Sequence, residues 1–478
     1  MANAMEKKGV RDWSDRLNPV FIKEMRQYFH NRGILAVMGV LLLVQLLMLV
    51  VMQLQVAGSR NEYFGSGAVM FGMVATGMAL AAFLVSAVGS VLRFTAERRD
   101  RELDFSRITT LSPNRIIWGK LLGALVMTIF IYALCLPFIV IAYFLRGIAM
   151  SEMLLVALAI LPPVLIASQA GILIGCAGRR WLIGVYFGGM FLLGLFFLGF
   201  FGFLAASHAV SGTSSFGGMV LFWCTFCLFP FGLFYALSVA ALSSRYANRM
   251  LPVRLFLVAA LLLTPLFGLA VAWLSDGRID PLPAALCAFG VGGAMIAGIC
   301  ATLAAFERLD PGRRVRRSWP RNRVGKFVWF LFSSGAWGGI ALSWLVVLAT
   351  GVVAALLFTI VPDGGRTGIA VLCWGAVACY FLFYAQLAVW ASAHWKILPG
   401  WCFWIFGVIL FVFVPLLFCG LLAMVTEMEV EILLVTTPFC LALVKPGSEL
   451  VMAVFGPFFA LASLALAASS YRKGENKP

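Results

Sequence analysis

Residues 93–120 read RFTAERRDRELDFSRITTLSPNRIIWGK, a hydrophilic break between the apolar runs 65–92 and 116–145. The break is too charged to enter a bilayer. Its signs alternate densely, through Glu97, Arg98, Arg99, Asp100, Arg101, Glu102 and Asp104. The residues alone leave two readings open. The stretch is either a surface where a membrane protein meets a soluble partner, or a solvated loop that only sets topology.

The flanks decide the class. Apolar residues make up 62% of the chain and charged residues 12%, about half the charged fraction of an ordinary globular domain. Apolar runs of about 20 residues recur from end to end, each long enough to cross the hydrocarbon core as a helix. The chain therefore reads as an all-α polytopic integral membrane protein. Spans are expected near 33–56, 65–92, 116–145, 153–177, 182–206 and 216–242, then 255–274, 282–306, 340–361, 368–391, 401–425 and 451–471. That makes about 12 transmembrane helices with both termini cytoplasmic. The first run follows a charged segment and has full membrane length, so it is expected to stay as a helix and not to be cleaved. Three regions result: a cytoplasmic N-terminus (1–32), a first six-helix region (33–242) and a second (243–478).

Basic residues test the count. Of 36 lysines and arginines, 31 fall on the segments this topology places inside. The outside segments hold only Arg60, Arg146, Arg278, Arg366 and Lys445. The asymmetry matches the positive-inside rule. The net charge of +16 is then topology and attraction to the anionic inner leaflet. No nucleic-acid module is recognisable, so nucleic acid is not expected as a partner.

Before the first span, Asn18 suits a helix cap and Pro19 its first position. Phe21, Ile22, Met25, Tyr28 and Phe29 fall on one arc of the helix expected over 20–30. Lys23, Glu24, Arg26, Gln27 and His30 fall on the other. Such a helix lies in the cytoplasmic interface, and a plain extension of the first span is the alternative. At the other edge of the break, Ser112 and Pro113 have the same cap-and-first-turn chemistry. Two regions are irregular. Residues 327–361 are too long for one span, so 327–337 is expected in the interface. Residues 432–444 are apolar but too short to span, and read as a re-entrant hairpin or an external cap.

Several chemistries find no support. No Asp, Glu, Lys or Arg lies well inside an expected span, which argues against a proton relay. Gln45, Gln53, Gln169 and Gln386 are the long polar side chains at depth. They line a substrate path or, more simply, hydrogen-bond between helices. His30, His208 and His394 lack ligand spacing, so no metal site is expected. Cys224 and Cys227 form a CxxC inside an apolar run, where cysteines act as small hydrophobes. Neither Gly119-Lys120 nor Gly325-Lys326 belongs to a GxxxxGK[ST] loop, so the chain has no P-loop and no cofactor site of its own.

Two motifs then carry a resemblance. Asn18-Pro19-Val20-Phe21-Ile22-Lys23-Glu24-Met25-Arg26 resembles the opening of permease subunits of type-2 ABC exporters, where this segment is an interfacial connecting helix. Glu97-Arg98, Glu102-Leu103, Thr110-Leu111-Ser112 and Gly119-Lys120-Leu121-Leu122 resemble that family's loop between its second and third spans. There the loop carries the coupling helix that docks on the ATPase subunit. The resemblance covers residues 18–242 and implies an ATPase-coupling loop over Glu97, Arg98, Arg99, Asp100, Arg101, Glu102, Leu103 and Asp104. It also implies a cytoplasmic P-loop ATPase partner that binds ATP and Mg, and export of an amphiphilic or lipid-like substrate from a bacterial cytoplasmic membrane. The pattern departs at Arg101-Glu102-Leu103, where the family commonly has Gly-Thr-Leu. A usual permease has six spans, so the second region is a fused second permease or a set of accessory helices on a subunit that works as a homodimer. A non-transporting scaffold and a membrane enzyme acting on lipid are the rival functions.

Overall fold

The computed structural model describes residues 18–58, 66–99, 112–145, 149–177, 216–244, 247–274, 280–307, 309, 311–360, 375 and 378–391. Every regular element among them is helical. The expected spans 182–206, 401–425 and 451–471, and the segment 432–444, lie outside the described residues. The chain divides between Ser243 and Ser244 into two compact units.

The first unit opens with α1 (Pro19–His30), α2 (Arg32–Gly58) and α3 (Ser66–Ala82). A six-residue π-helical turn, Phe83–Val88, joins α3 to α4 (Gly89–Arg99). Then come α5 (Pro113–Phe144), α6 (Met150–Ala177) and α7 (Phe216–Leu242). The second unit has α8 (Leu251–Leu274), α9 (Pro281–Phe306), α10 (Arg313–Arg317), α11 (Arg323–Phe332) and α12 (Ala336–Ile360). A shorter apolar helix, α13, runs over Ala378–Ala391.

Seven described helices are long and apolar enough to cross a membrane: α2, the α3–α4 rod, α5, α6, α8, α9 and α12. This is the pattern of a multi-pass membrane protein. Their apolar residues run all round, as lipid-facing helices require. Leu43, Leu47, Leu262 and Leu348 stand exposed in mid-helix, where a bilayer would cover them.

Within the first unit, Tyr28, Met38, Met70, Met78, Met127 and Met153 belong to one core. A second cluster joins Phe94, Ile117, Ile172 and Val239, from α4, α5, α6 and α7. In the second unit the core is built largely from alanine. Ala301, Ala304 and Ala305 of α9 pack with Ile340 of α12 and with Leu382, Ala385 and Ala388 of α13. Small side chains let helix backbones approach closely, which is what drives packing in lipid.

The structure shortens the hydrophilic break. The helix expected to end near residue 92 continues to Arg99, and the next begins at Pro113. Arg93, Glu97 and Lys120 are therefore helical, and each finds charged partners within the protein. The long stretch 327–361 divides as its length demands. The chain leaves α11 at Ser333, which is extended, and enters α12 at Ala336.

Candidate functional site

Helix α1 is the element around which the site is built. Asn18 caps it: Oδ1 accepts from the Val20 N–H at 3.1 Å, with Pro19 in the first turn. The Asn18 amide also donates to the Arg115 carbonyl of α5. At the far end Asn31 accepts from the Gly33 N–H at 2.9 Å and starts α2. Ser112 differs from its expected role. It occupies the N-cap position of α5, but its hydroxyl makes no capping bond. Pro113 alone supplies the helical start.

The face of α1 that packs on the protein straddles the edge between its two arcs, with Glu24 from the polar arc beside Tyr28 from the apolar one. Glu24 is 2% exposed and Tyr28 is fully buried, whereas Phe29 is half exposed. Positions 24 and 28 are one turn apart and share a face. They lie against Gly123 of α5, while Val20, a turn earlier, lies against Gly119. A Cβ at Gly119 would sit 2.9 Å from the Val20 Cβ, and one at Gly123 would sit 3.2 Å from the Glu24 Cβ. The two glycines make the groove that admits α1.

Three cations and two carboxylates meet in that groove. Lys120 of α5 donates to Glu24 of α1 and to Glu97 of α4 at 2.7 Å. Lys23 of α1 donates to the other oxygen of Glu97 at 3.0 Å. Arg93 of α4 pairs with the free oxygen of Glu24 at 3.3 Å. Lys120, Glu24 and Glu97 are buried, while Lys23 reaches solvent. Carboxylates this deep are tolerated only because each is shared between two cations.

Two aromatic rings roof the cluster. The Arg93 guanidinium carbon lies 3.2 Å from the centre of the Tyr28 ring. The Lys120 ammonium lies 4.9 Å from that of Phe94. Both are cation–π contacts that offset part of the desolvation. Burial raises the Tyr28 phenol above its ordinary value, with Arg93 pulling the other way, so the ring stays neutral through the physiological range.

This node couples three helix ends. Glu97 stands in the last turns of α4 and Lys120 in the second turn of α5, on either side of residues 100–111. Glu24 and Lys23 belong to α1. A displacement applied between α4 and α5 therefore reaches α1 through ion pairs and hydrogen bonds.

Of the residues marked in the sequence, Asn18, Pro19, Lys23, Glu24 and Glu97 come together here. Phe21 stands on the same face, seven residues before Tyr28, and is partly buried, whereas Arg26 is exposed on the opposite face. Arg98 and Arg99 end α4, with side chains outside the described set, as are Asp100, Arg101, Glu102, Leu103 and Asp104. Gln45 is fully buried and donates to the Val74 carbonyl of α3 at 3.2 Å. Gln169 donates to Ser238 of α7 at 3.0 Å. Both tie helices together, and each leaves its amide oxygen without a partner. Gln386 is buried, and the Gln53 side chain lies outside the described set. The sequence reading had Tyr28 only on the apolar arc and Gly119 and Lys120 only in the loop motif, and it missed Arg93 and the Gly119/Gly123 groove. The GxxxG spacing was the legible signal for the last. Among the described residues, no three His, Cys, Asp or Glu side chains gather as a metal site would need. Comparison with known proteins finds no family model, no curated protein and no solved structure that matches the chain.

Proposed function

We propose that the chain is the membrane-spanning permease subunit of an ATP-driven exporter of the type-2 ABC kind. In this reading it has twelve spans with cytoplasmic termini, and it sits in a bacterial cytoplasmic membrane. A separate P-loop ATPase binds ATP and Mg, docks on the loop between the second and third spans with 97–104 as its coupling stretch, and drives export of an amphiphilic, lipid-like substrate. The observation that supports this reading is the Glu24–Lys120–Glu97 node. A push on the segment between α4 and α5 acts on α1 through buried charges, as a subunit energised from outside requires. The sequence resemblance at residues 18–26 and 97–122 points the same way.

The test is a mild-detergent purification of the full chain from native membranes, with every stoichiometric partner identified. The variant D100R/E102R/D104R reverses the acidic charges of the segment without touching Glu97, which the node needs. Recovery of a P-loop ATPase with the wild type and its loss with the variant is the expected result. A chain that purifies alone, or that keeps the ATPase despite the reversal, overturns the reading. An ATPase that binds but whose turnover ignores every lipid and amphiphile tried would leave a scaffold in its place.

A further inference from the structure

The second unit carries a surface that the proposed function does not use. Residues 311–332, between α9 and α12, contain no acidic residue. Helix α10 presents Arg313, Arg314, Arg316 and Arg317, all exposed. Arg321, Arg323 and Lys326 follow, also exposed. Val315 is buried and anchors α10 to the unit, so the arginines project from a fixed base.

The basic surface continues into an apolar one. On α11, Val324 is 70% exposed, Phe327 54% and Val328 45%. Their i, i+3, i+4 spacing puts them in one stripe. Leu331 turns inward and is buried. Trp319 packs edge-on against Phe330, ring centres 6.3 Å apart, and Trp329 is half-buried beside it. Cations, tryptophans and an exposed apolar stripe together are the composition of an element seated at a membrane surface.

Topology puts the segment there. It joins α9 to α12, and both are long and apolar enough to span. A buried clamp holds it in place. Arg254 of α8 donates to the Leu331 and Gly335 carbonyls at 2.8 Å, and also to the Ser333 carbonyl. The same guanidinium donates to Glu307 at 2.7 and 2.8 Å, and Glu307 accepts from the Gly335 N–H at 2.7 Å. Gly338 leaves room for this: a Cβ there would lie 2.6 Å from Arg254 Nη1. The corner between α11 and α12 is thus fixed from inside the unit.

We propose that residues 313–328 form a binding surface for anionic phospholipid headgroups. The arginines of α10 and the 321–326 cations take the phosphates, and the Val324–Phe327–Val328 stripe enters the acyl boundary. The excess of positive charge over 311–332 selects anionic over zwitterionic lipid, and the apolar stripe selects a bilayer over a soluble polyanion. The proposal does not depend on the transport reading.

The full chain in nanodiscs, probed by electron paramagnetic resonance with spin-labelled phosphatidylglycerol and phosphatidylcholine, gives the relative affinity of the annular lipids. The wild type is expected to prefer phosphatidylglycerol, with a preference that shrinks at 0.5 M salt, taken as about a 4 Å Debye length. The variant R313Q/R314Q/R316Q/R317Q should lower that preference by at least about five-fold, the worth of roughly one cation at an anionic surface. The corresponding Arg-to-Lys variant should keep it. R321Q/R323Q/K326Q gives an independent reading if the first variant folds poorly. Removing the same number of cations elsewhere, with R179Q/R180Q/R472Q/K473Q, should change it less. An unchanged preference in both glutamine variants overturns the proposal. So does an equal loss in the control, which would reduce the effect to net charge. Loss of an acidic soluble protein with lipid preference intact would assign the surface to that protein and also overturn it.

Discussion

Lys120→Met removes the one side chain that joins both carboxylates of the node. Glu24 keeps Arg93 at 3.3 Å and Glu97 keeps Lys23 at 3.0 Å. Neither remaining pair bridges the two carboxylates, and Lys23 is solvent-exposed, so its pair is screened and weak. Breaking a buried pair from one side costs about 3–5 kcal/mol, because the stranded charge stays buried. For a folding unit of this size, about 2–4 °C of melting temperature goes with each kcal/mol, so the loss should be roughly 6–20 °C. Thermal melting of the full chain in nanodiscs at a fixed scan rate measures it. Limited proteolysis at Lys23 and Arg26 reports in parallel whether α1 has left its groove. The double variant K120M/E97Q removes the stranded carboxylate with its partner. It should recover part of the loss, with a coupling of about 0.5–3 kcal/mol. A Lys120→Met protein that melts within a degree or two of wild type would refute the reasoning, as would strict additivity in the double variant. Either result would mean that water or lipid headgroups solvate the node.

Four further outcomes follow from the same geometry. Gly119→Val should expel α1, since a Cβ there already meets Val20 at 2.9 Å and an amide nitrogen of α1 at 3.1 Å. Faster cleavage at Lys23 would show it, while Gly123→Ala should be milder because its nearest contact is 3.2 Å. Asn18→Ala should cost about 0.5–2 kcal/mol in melting experiments, whereas Ser112→Ala should stay within about 0.5 kcal/mol, as its hydroxyl caps nothing. Tyr28→Phe should be neutral or slightly stabilising, because the phenol oxygen is buried without a hydrogen-bond partner and a phenyl ring keeps the Arg93 contact. Tyr28→Ala should cost about 3–5 kcal/mol by the measure of large-to-small core substitutions. Arg254→Met should destabilise the second unit by about 3–5 kcal/mol, and exchange of amides in 331–335 should speed up because their carbonyl anchors are gone.

The class of this protein was legible because lipid imposes so strong a rule. An uninterrupted apolar run of membrane length has few other fates, and seven of the expected spans appear as long apolar helices. The α1 helix was legible for a local reason: Asn18 and Pro19 are cap and first-turn residues, and both take those places. The inward face of α1 was not legible. Hydrophobic periodicity assigns Glu24 to the wet side, and only the presence of Arg93 and of Lys120, 96 positions away, makes its burial favourable. Lys120 itself was hidden by its company. Placed at the end of a charged stretch, it read as part of a loop, yet Pro113 starts a helix seven residues earlier. The Arg254–Glu307 clamp escaped for the same reason. Two charges at helix ends look like topology markers until their partners are known.

The π-helical turn at Phe83–Val88 bears on all of this. A turn of this kind acts as one residue inserted into an α-helix, and each residue of an α-helix advances the side chains by about 100°. The rod from Ser66 to Arg99 therefore has two angular phases. The first half uses one phase to set Met70, Val74 and Met78 into the core. The second half uses another to aim Arg93 and Glu97 at the ion pairs. Inside the turn, Ser86 donates to or accepts from Thr128 of α5 at 2.8 Å, which pins the point where the phase changes. Winding the same residues as plain α-helix would keep the span and its hydropathy intact, yet swing the lower half by about 100° and point Glu97 away from both of its lysines. The turn is the dial that sets whether α1 and the segment after Arg99 are geared together.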